Sequence, residues 1–195
     1  MRNAKVSRKT AETDVTININ LDGTGLCQSD SGVPFLDHML DQLAAHSLID
    51  ISLSATGDNF IDDHHTVEDV AIVLGMAIAR ALGDKQGIYR YGHYLLPMDD
   101  ALIRVALDLS GRPFLSWSVD VPAARIGTFD TELLREFFQS FSTHSGMALH
   151  VDKIRGLNSH HIAEATFKAV ARALRMAVEP DARRAGMIPS TKGNL

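Results

Sequence analysis

The chain of 195 residues predicts an α+β fold made by internal duplication, and three observations predict it. One phrase is written twice: His64-His65-Thr66-Val67-Glu68 and His160-His161-Ile162-Ala163-Glu164, whose first residues lie 160 − 64 = 96 positions apart. Each copy opens a long apolar run rich in alanine. Upstream, Leu36-Asp37-His38-Met39-Leu40 aligns with Leu134-Arg135-Glu136-Phe137-Phe138 at an offset of 134 − 36 = 98, which also sets His46 on His144. Further upstream, residues 14–20 match residues 101–108, and both alternate in part between apolar and polar, as half-buried strands do.

The elements follow in one order in both halves. Residues 14–20 and 101–108 are strands, and Gly23 and Gly111 mark the turns after them. Helices follow, carrying His38 and Glu136 at matched positions. Residues 49–55 and 147–154 are short strands, and residues 67–82 and 162–178 are the alanine-rich helices. In the second half, residues 90–96 and 104–109 add strand content around Pro97. Each half is expected to form a mostly antiparallel four-stranded sheet with two helices on one face, a face that the other half can cover. The first half-repeat spans 1–86 and the second 87–180, with Gly83 and Gly87 punctuating the boundary. The stretch between Trp117 and Asp130, with Pro122 and Gly127, is an insertion expected as a loop. The tail, 181–195, reads on its own as a disordered end. Its Ser190-Thr191-Lys192-Gly193 offers hydroxyl and amine donors to an anion.

Composition sets broad bounds. A chain of this length buries roughly 70% of the surface its unfolded form exposes, so it needs no covalent staple. With the single cysteine Cys27 it has no internal disulfide, which fits a reducing compartment. The net charge of −5 argues against a nucleic-acid surface. The first ten residues are basic without a following apolar segment, so they do not read as a secretory signal. The longest apolar run, residues 70–79, is about half of a membrane span. A soluble cytoplasmic protein is expected.

Two imidazoles and a carboxylate in each repeated phrase are ordinary ligands of a divalent transition metal. On a helix His64 and Glu68 stand at i and i+4 on one face, while His65 is turned by about 100°. His64 and Glu68 are therefore expected to serve one ion and His65 another, and likewise His160 with Glu164, and His161. His38 and Glu136 add one candidate from each preceding helix. These eight groups suffice for two sites of four, with positions left open for substrate or water. Mixed nitrogen and oxygen ligation without thiolate suits octahedral manganese, iron or zinc better than a closed structural zinc site. A single His-His-x-x-Glu is more often capping or surface chemistry, but two copies at equivalent places favour metal. One helix serving two divergent ions is most easily arranged between subunits, so an obligate oligomer is expected. The remaining polar groups are assigned blander roles. His46 and His144 fall at helix ends and His93 and His150 in strands, whereas Asp62 and Asp63 can cap the first His-His helix. Asp99 and Asp100 belong in a hairpin turn after Pro97, or behind a ligating histidine.

The motifs, taken together and in order, resemble those of the imidazoleglycerol-phosphate dehydratases. They are Arg8-Lys-Thr-Ala-Glu-Thr13, Phe35-Leu-Asp-His-Met-Leu40, Asp63-His-His-Thr-Val-Glu-Asp69, Arg90-Tyr-Gly92, Pro97-Met-Asp99 and Asp108-Leu-Ser-Gly-Arg-Pro113. Asn158-Ser-His-His-Ile-Ala-Glu-Ala165, residues 167–174 and Ser190-Thr-Lys-Gly193 complete the set, which covers the chain from end to end. The resemblance implies a duplicated fold of the kind seen in a ribosomal protein domain. It implies dehydration of imidazole glycerol phosphate to imidazole acetol phosphate in histidine biosynthesis. It also implies two manganese ions per active site and a shell of 24 subunits with sites at subunit contacts. The implied metal ligands are His38, His64, His65, Glu68, Glu136, His160, His161 and Glu164. The implied substrate contacts are Glu12, Arg90, Arg112, Ser190 and Lys192. Some members carry histidine where this chain has Glu136, and a carboxylate can still ligate manganese.

The chemistry accounts for that equipment. No carbonyl activates the carbons that lose water, so the imidazole ring is the available electron sink. Cations at both ring nitrogens help it to expel the adjacent hydroxyl, after which a base takes the neighbouring proton. Glu12 is the candidate general acid and base, with Glu68 and Glu164 as rivals that also hold metal, and a cation lowers the basicity of a ligating carboxylate. Arg90, Arg112 and Lys192 would grip the phosphate. A dinuclear phosphate-ester hydrolase, a metal-dependent storage protein and an RNA-binding module are the competing readings. The first would release phosphate, the second has no use for the basic residues, and the third lacks a basic stripe.

Overall fold

The computed structural model describes residues 2–193 and 195. The first half runs β1 (Asn3–Lys9), β2 (Thr13–Asn20), β3 (Cys27–Asp30), α1 (Pro34–Ser47), β4 (Asp50–Gly57) and α2 (His64–Leu82). The second runs β5 (Tyr91–Met98), β6 (Ala101–Asp108) and β7 (Phe114–Ser118), then a small hairpin of β8 (Arg125–Ile126) and β9 (Phe129–Asp130). It ends with α3 (Glu132–Ser145), β10 (Ala148–Arg155) and α4 (Ser159–Val178).

The expected α+β duplication is present. The sheets have the equivalent orders β1-β2-β4-β3 and β5-β6-β10-β7. Two pairings in each are antiparallel and one is parallel, β3 with β4 and β7 with β10. A parallel pair needs a crossover, and α1 and α3 supply it. α2 lies on β1 and β2, and α4 on β5 and β6. Across the halves α2 packs on α3 and α1 on α4, so the four helices form the middle of the molecule. This cross-pairing later decides which metal-ligand candidates meet.

Several local expectations are corrected. Residues 3–9, assigned no element from sequence, form β1, an edge strand whose inward face is only Ala4 and Val6; so short a period-2 signal is faint. The insertion carries the β8–β9 hairpin, closed by Arg125 on Asp130. The tail is tied down rather than loose. It forms a 3-10 turn at Ala182–Arg184, and the Gly87 N–H donates to the Met187 carbonyl while the Asp181 N–H donates to the Gly87 carbonyl, both at 2.8 Å.

The core is dense where the helices cross. Phe137, Phe138, Phe141 and Phe167 are buried, with ring centroids 4.8–6.0 Å apart; each contributes about 1.5–3 kcal/mol by burial. Alanine-rich α4 approaches β5 so closely that a Cβ on Gly92 would sit 1.8 Å from the Ala173 carbonyl oxygen. Gly92→Ala is therefore expected to destabilise the fold by about 3 kcal/mol or more, since neither backbone can yield cheaply. Chemical denaturation of the variant measures it, and an unchanged midpoint would refute the close packing.

Candidate active site

Both His-His helices begin on the same device. The Asp62 carboxylate accepts the His64 N–H at 2.8 Å, and the Asn158 side-chain carbonyl accepts the N–H groups of His160 and His161 at 2.9 and 3.2 Å. Asp63, the other expected cap, instead accepts from the Asn59 amide. These bonds start α2 at His64 and α4 at Ser159, so the imidazoles project from a helix end and not from mid-helix. The adjacent rings do diverge: centroids are 6.1 Å apart at 84° for His64 and His65, and 6.3 Å at 90° for His160 and His161.

Because α1 packs on α4, His38 reaches the second phrase. His38 Nε2 lies 3.4 Å and His160 Nε2 3.0 Å from Glu164 Oε2. Glu164 is 7% exposed. Burial pushes its carboxyl up, but the bonds from Lys168 and His160 outweigh that and hold it below the ordinary carboxylate range. Lys168, one turn along α4, donates to Glu164 Oε1 at 2.5 Å. Sequence reading missed Lys168, although its i+4 spacing from Glu164 was a usable signal.

Because α2 packs on α3, the matched pair His64 and Glu136 faces one cleft of about 560 Å³. Its apolar part is Trp117, Val119, Val121 and Leu133. Glu68 does not follow its counterpart Glu164; it lines a smaller cavity of about 120 Å³ with Arg8, Glu12 and His65. The symmetry is broken at a second point, since the position matching Lys168 is Ile72 (168 − 96).

The outer histidine of each pair is backed by a carboxylate on Nδ1. His65 Nδ1 is 3.0 Å from Asp58 Oδ2, and His161 Nδ1 is 2.6 Å from Asp100 Oδ1. Such a partner fixes the ring and leaves Nε2 for a ligand. The Asp58 bond also holds the His65 imidazole above its ordinary pKa. Asp100 sits in the β5–β6 turn, as does Asp99, and also caps the Leu157 and Asn158 N–H groups; both sequence readings of this turn hold. Asp58 carried no sequence signal. Glu12 joins the His65 group, with Oε2 3.9 Å from His65 Nδ1. It is held in the β1–β2 turn by Thr10 Oγ1, which accepts the N–H groups of Glu12 and Thr13. That turn is pinned to α2 by Asp69, which is buried and accepts from Arg8 and from the Thr13 hydroxyl.

The basic candidates assemble elsewhere. Arg90, Arg112, Ser190 and Lys192 line a cavity of about 460 Å³ together with Tyr91 and Ser110. Arg90 is 8% exposed. Its Nε and Nη2 donate to Asp108 at 2.7 and 3.0 Å, and its Nη1 donates to the Pro189 carbonyl at 2.8 Å. Arg90 therefore also straps the tail down beside the cavity that Ser190 and Lys192 enter. The Arg90 N–H donates to the Ala177 carbonyl, near the C-terminus of α4, whereas Glu164 is in the first turns of the same helix. Thirteen residues (177 − 164) at about 1.5 Å each place the two some 20 Å apart.

The remaining histidines follow their expected places. His46 and His144 end α1 and α3, with His144 Nδ1 on the Ser140 carbonyl. Burial, then the nearby Lys168 and Arg172, lower the His46 pKa. His93 and His150 lie exposed on β5 and β10. Among the described residues, no helix is long and apolar enough to cross a membrane.

The family model for imidazoleglycerol-phosphate dehydratase matches residues 31–174. Proteins of that name from Ruegeria pomeroyi and Paracoccus denitrificans are 69% and 66% identical to this chain over 195 residues, covering all of both chains. The crystal structure of the Staphylococcus aureus enzyme superposes with a TM-score of 0.84 at 39% identity, covering 91% of this chain and 99% of that one. The Pyrococcus furiosus structure gives 0.82 at 35% identity, covering 97% and 100%. The chain belongs to the imidazoleglycerol-phosphate dehydratase family.

Proposed function

We propose that the chain dehydrates D-erythro-imidazole glycerol phosphate to imidazole acetol phosphate and water, a step of L-histidine biosynthesis. In this reading it is a cytoplasmic homo-oligomer of 24 subunits, with two manganese ions per active site. The observation that carries it is two sets of donors held ready for a cation: His38, His160 and Glu164 offer atoms within 4.8 Å of one another, as do Glu12, Asp58 and His65. These donors fit manganese, being imidazole nitrogens and carboxylate oxygens. The one thiol, Cys27 on β3, is pushed up to about 12 by burial and by Asp41. The residues that would hold the ions are His38, His64, His65, Glu68, Glu136, His160, His161 and Glu164. Bound there, the ions would supply positive charge at the ring nitrogens, lowering the cost of electron density on the imidazole.

The protein's own groups account for the rest. Loss of the hydroxyl next to the ring breaks a C–O bond, and the departing oxygen needs a proton. The neighbouring carbon then gives up its proton, and the resulting enol becomes the ketone. Glu12, in its fixed turn, is placed to hold that proton and return it. Glu68 and Glu164 remain rivals, though Glu164 is tied to Lys168 and His160. Arg112, Lys192 and the Ser190 hydroxyl bind the phosphate, and Arg90 holds the wall from which Ser190 and Lys192 project. A three-carbon phosphate ester is far too short for a gap of some 20 Å, which supports sites completed by a neighbouring subunit.

The test is ketone formation from imidazole glycerol phosphate, followed by absorbance on one preparation with and without chelator. Turnover that chelation abolishes and manganese restores is expected. Release of inorganic phosphate in place of ketone would overturn the reading in favour of a hydrolase. A second expectation concerns the strap. Asp108→Asn weakens a charge-assisted pair worth about 1.5–3 kcal/mol, so KM should rise roughly tenfold or more with a smaller change in kcat. An unchanged KM would remove Asp108 from this role.

A further inference from the structure

The linker between the half-repeats, residues 83–90, runs beneath the basic cavity and braces it. Lys85 Nζ donates to the Leu109 carbonyl at 3.0 Å, and Leu109 leads directly into Ser110 and Arg112, which line the cavity. Further along the linker, Gly87 exchanges backbone bonds with the tail, and Arg90 binds the Pro189 carbonyl. Lys85 Nζ lies against the wall itself. A Cβ added to Gly111, between Ser110 and Arg112, would sit 3.5 Å from it.

Backbone and charge both mark Lys85 as more than a brace. The linker takes the left-handed region at Lys85 and Arg90, with φ of 61° and 74°, and both are cations beside this cavity. Glycine or asparagine is favoured there, so long side chains are kept against the local preference. The half-buried Lys85 ammonium offers three donors, and Leu109 takes one. Its charge has no carboxylate of its own. Asp108 acts on it, but both Asp108 oxygens already accept from Arg90. Burial pulls the ammonium below the ordinary lysine range, Arg90 and Arg112 act in the same direction, and Asp108 opposes them. Such a cation is costly where it stands, and an anion in the cavity would lower that cost.

We propose that Lys85 is a further positioning residue of the phosphate site: from behind the wall it holds the Ser110–Arg112 turn through the Leu109 carbonyl and adds positive charge to the cavity. This rests on the phosphate role given to that cavity above. Arg90 is neutralised by Asp108. The cations left to face a phosphate are therefore Arg112 and Lys192, which are exposed, and Lys85 beneath them.

The experiment measures binding of inorganic phosphate by calorimetry on the manganese-loaded full chain, then KM and kcat with imidazole glycerol phosphate. Lys85→Gln keeps a donor for Leu109 but no charge. It is expected to weaken phosphate binding about tenfold or more, and to raise KM in step with a smaller change in kcat. Binding of imidazole, which has no phosphate, should stay at the wild-type value. Lys85→Arg, which keeps the charge, should recover most of the loss. Wild-type phosphate affinity in Lys85→Gln, equal weakening of imidazole, or no recovery in Lys85→Arg would each overturn the role. Arg112→Gln separates this outcome from failure of the cavity reading. If it weakens phosphate binding while Lys85→Gln does not, the role of Lys85 alone is overturned. If the wild type binds no phosphate, or Arg112→Gln binds it unchanged, the cavity reading is overturned and the part of Lys85 with it.

Discussion

Glu12→Gln is expected to lower kcat by about 10²- to 10⁴-fold, the range that positioned proton transfer supplies, while metal content and assembly mass stay at wild-type values. The structure separates these outcomes. Glu12 is 54% exposed, and its backbone is fixed by Thr10, not by its own carboxylate. The turn around it is pinned through Arg8, Thr13 and Asp69, none of which the substitution touches. The amide keeps the shape and one acceptor but cannot take a proton at ordinary pH. Stopped-flow or steady-state kinetics beside metal analysis would decide it. Turnover within a few fold of wild type would transfer the role to Glu68 or Glu164.

His161→Ala and His64→Ala are expected to lose the manganese proposed above, and with it the proposed assembly. Each imidazole stands at a helix end held by a cap, and His161 is further oriented by Asp100. Such rings are positioned in advance, so removing one deletes a ligand without releasing strain that the site could use to recover. Loss of one donor from a set of four, or of an oriented outer-shell partner, commonly costs 10- to 100-fold or more in affinity. Elemental analysis and light scattering on the same sample check both effects. Full metal content with intact assembly would refute the ligand role.

Much of this could be read from the residues because duplication doubles every signal. The 96-residue offset located α2 and α4, and the 98-residue offset aligned α1 with α3 and so paired His38 with Glu136. What stayed hidden depended on packing. Nothing in the sequence says that α1 meets α4 and α2 meets α3, which is why His38 joins Glu164 while Glu136 faces His64. Asp58 and Asp108 act through contacts with His65 and Arg90 that lie seven and eighteen residues away in other elements of the chain, so no helical or strand period connects them. The divergence of adjacent imidazoles was readable because helix geometry alone dictates it. The divergence of Glu68 from Glu164 was not, since the Lys168 that holds Glu164 has only Ile72 as its counterpart.

The length of α4 has a genetic consequence. One end of that helix carries His160 and Glu164, and the other leans on Arg90 and the strapped tail. A subunit spoiled at the histidine end still brings an intact basic cavity, and one spoiled at Arg112 still brings intact metal donors. In the assembly proposed above, two inactive alleles of this gene, expressed in one cell, would then complement each other through mixed shells, because some sites would draw both good halves from different chains.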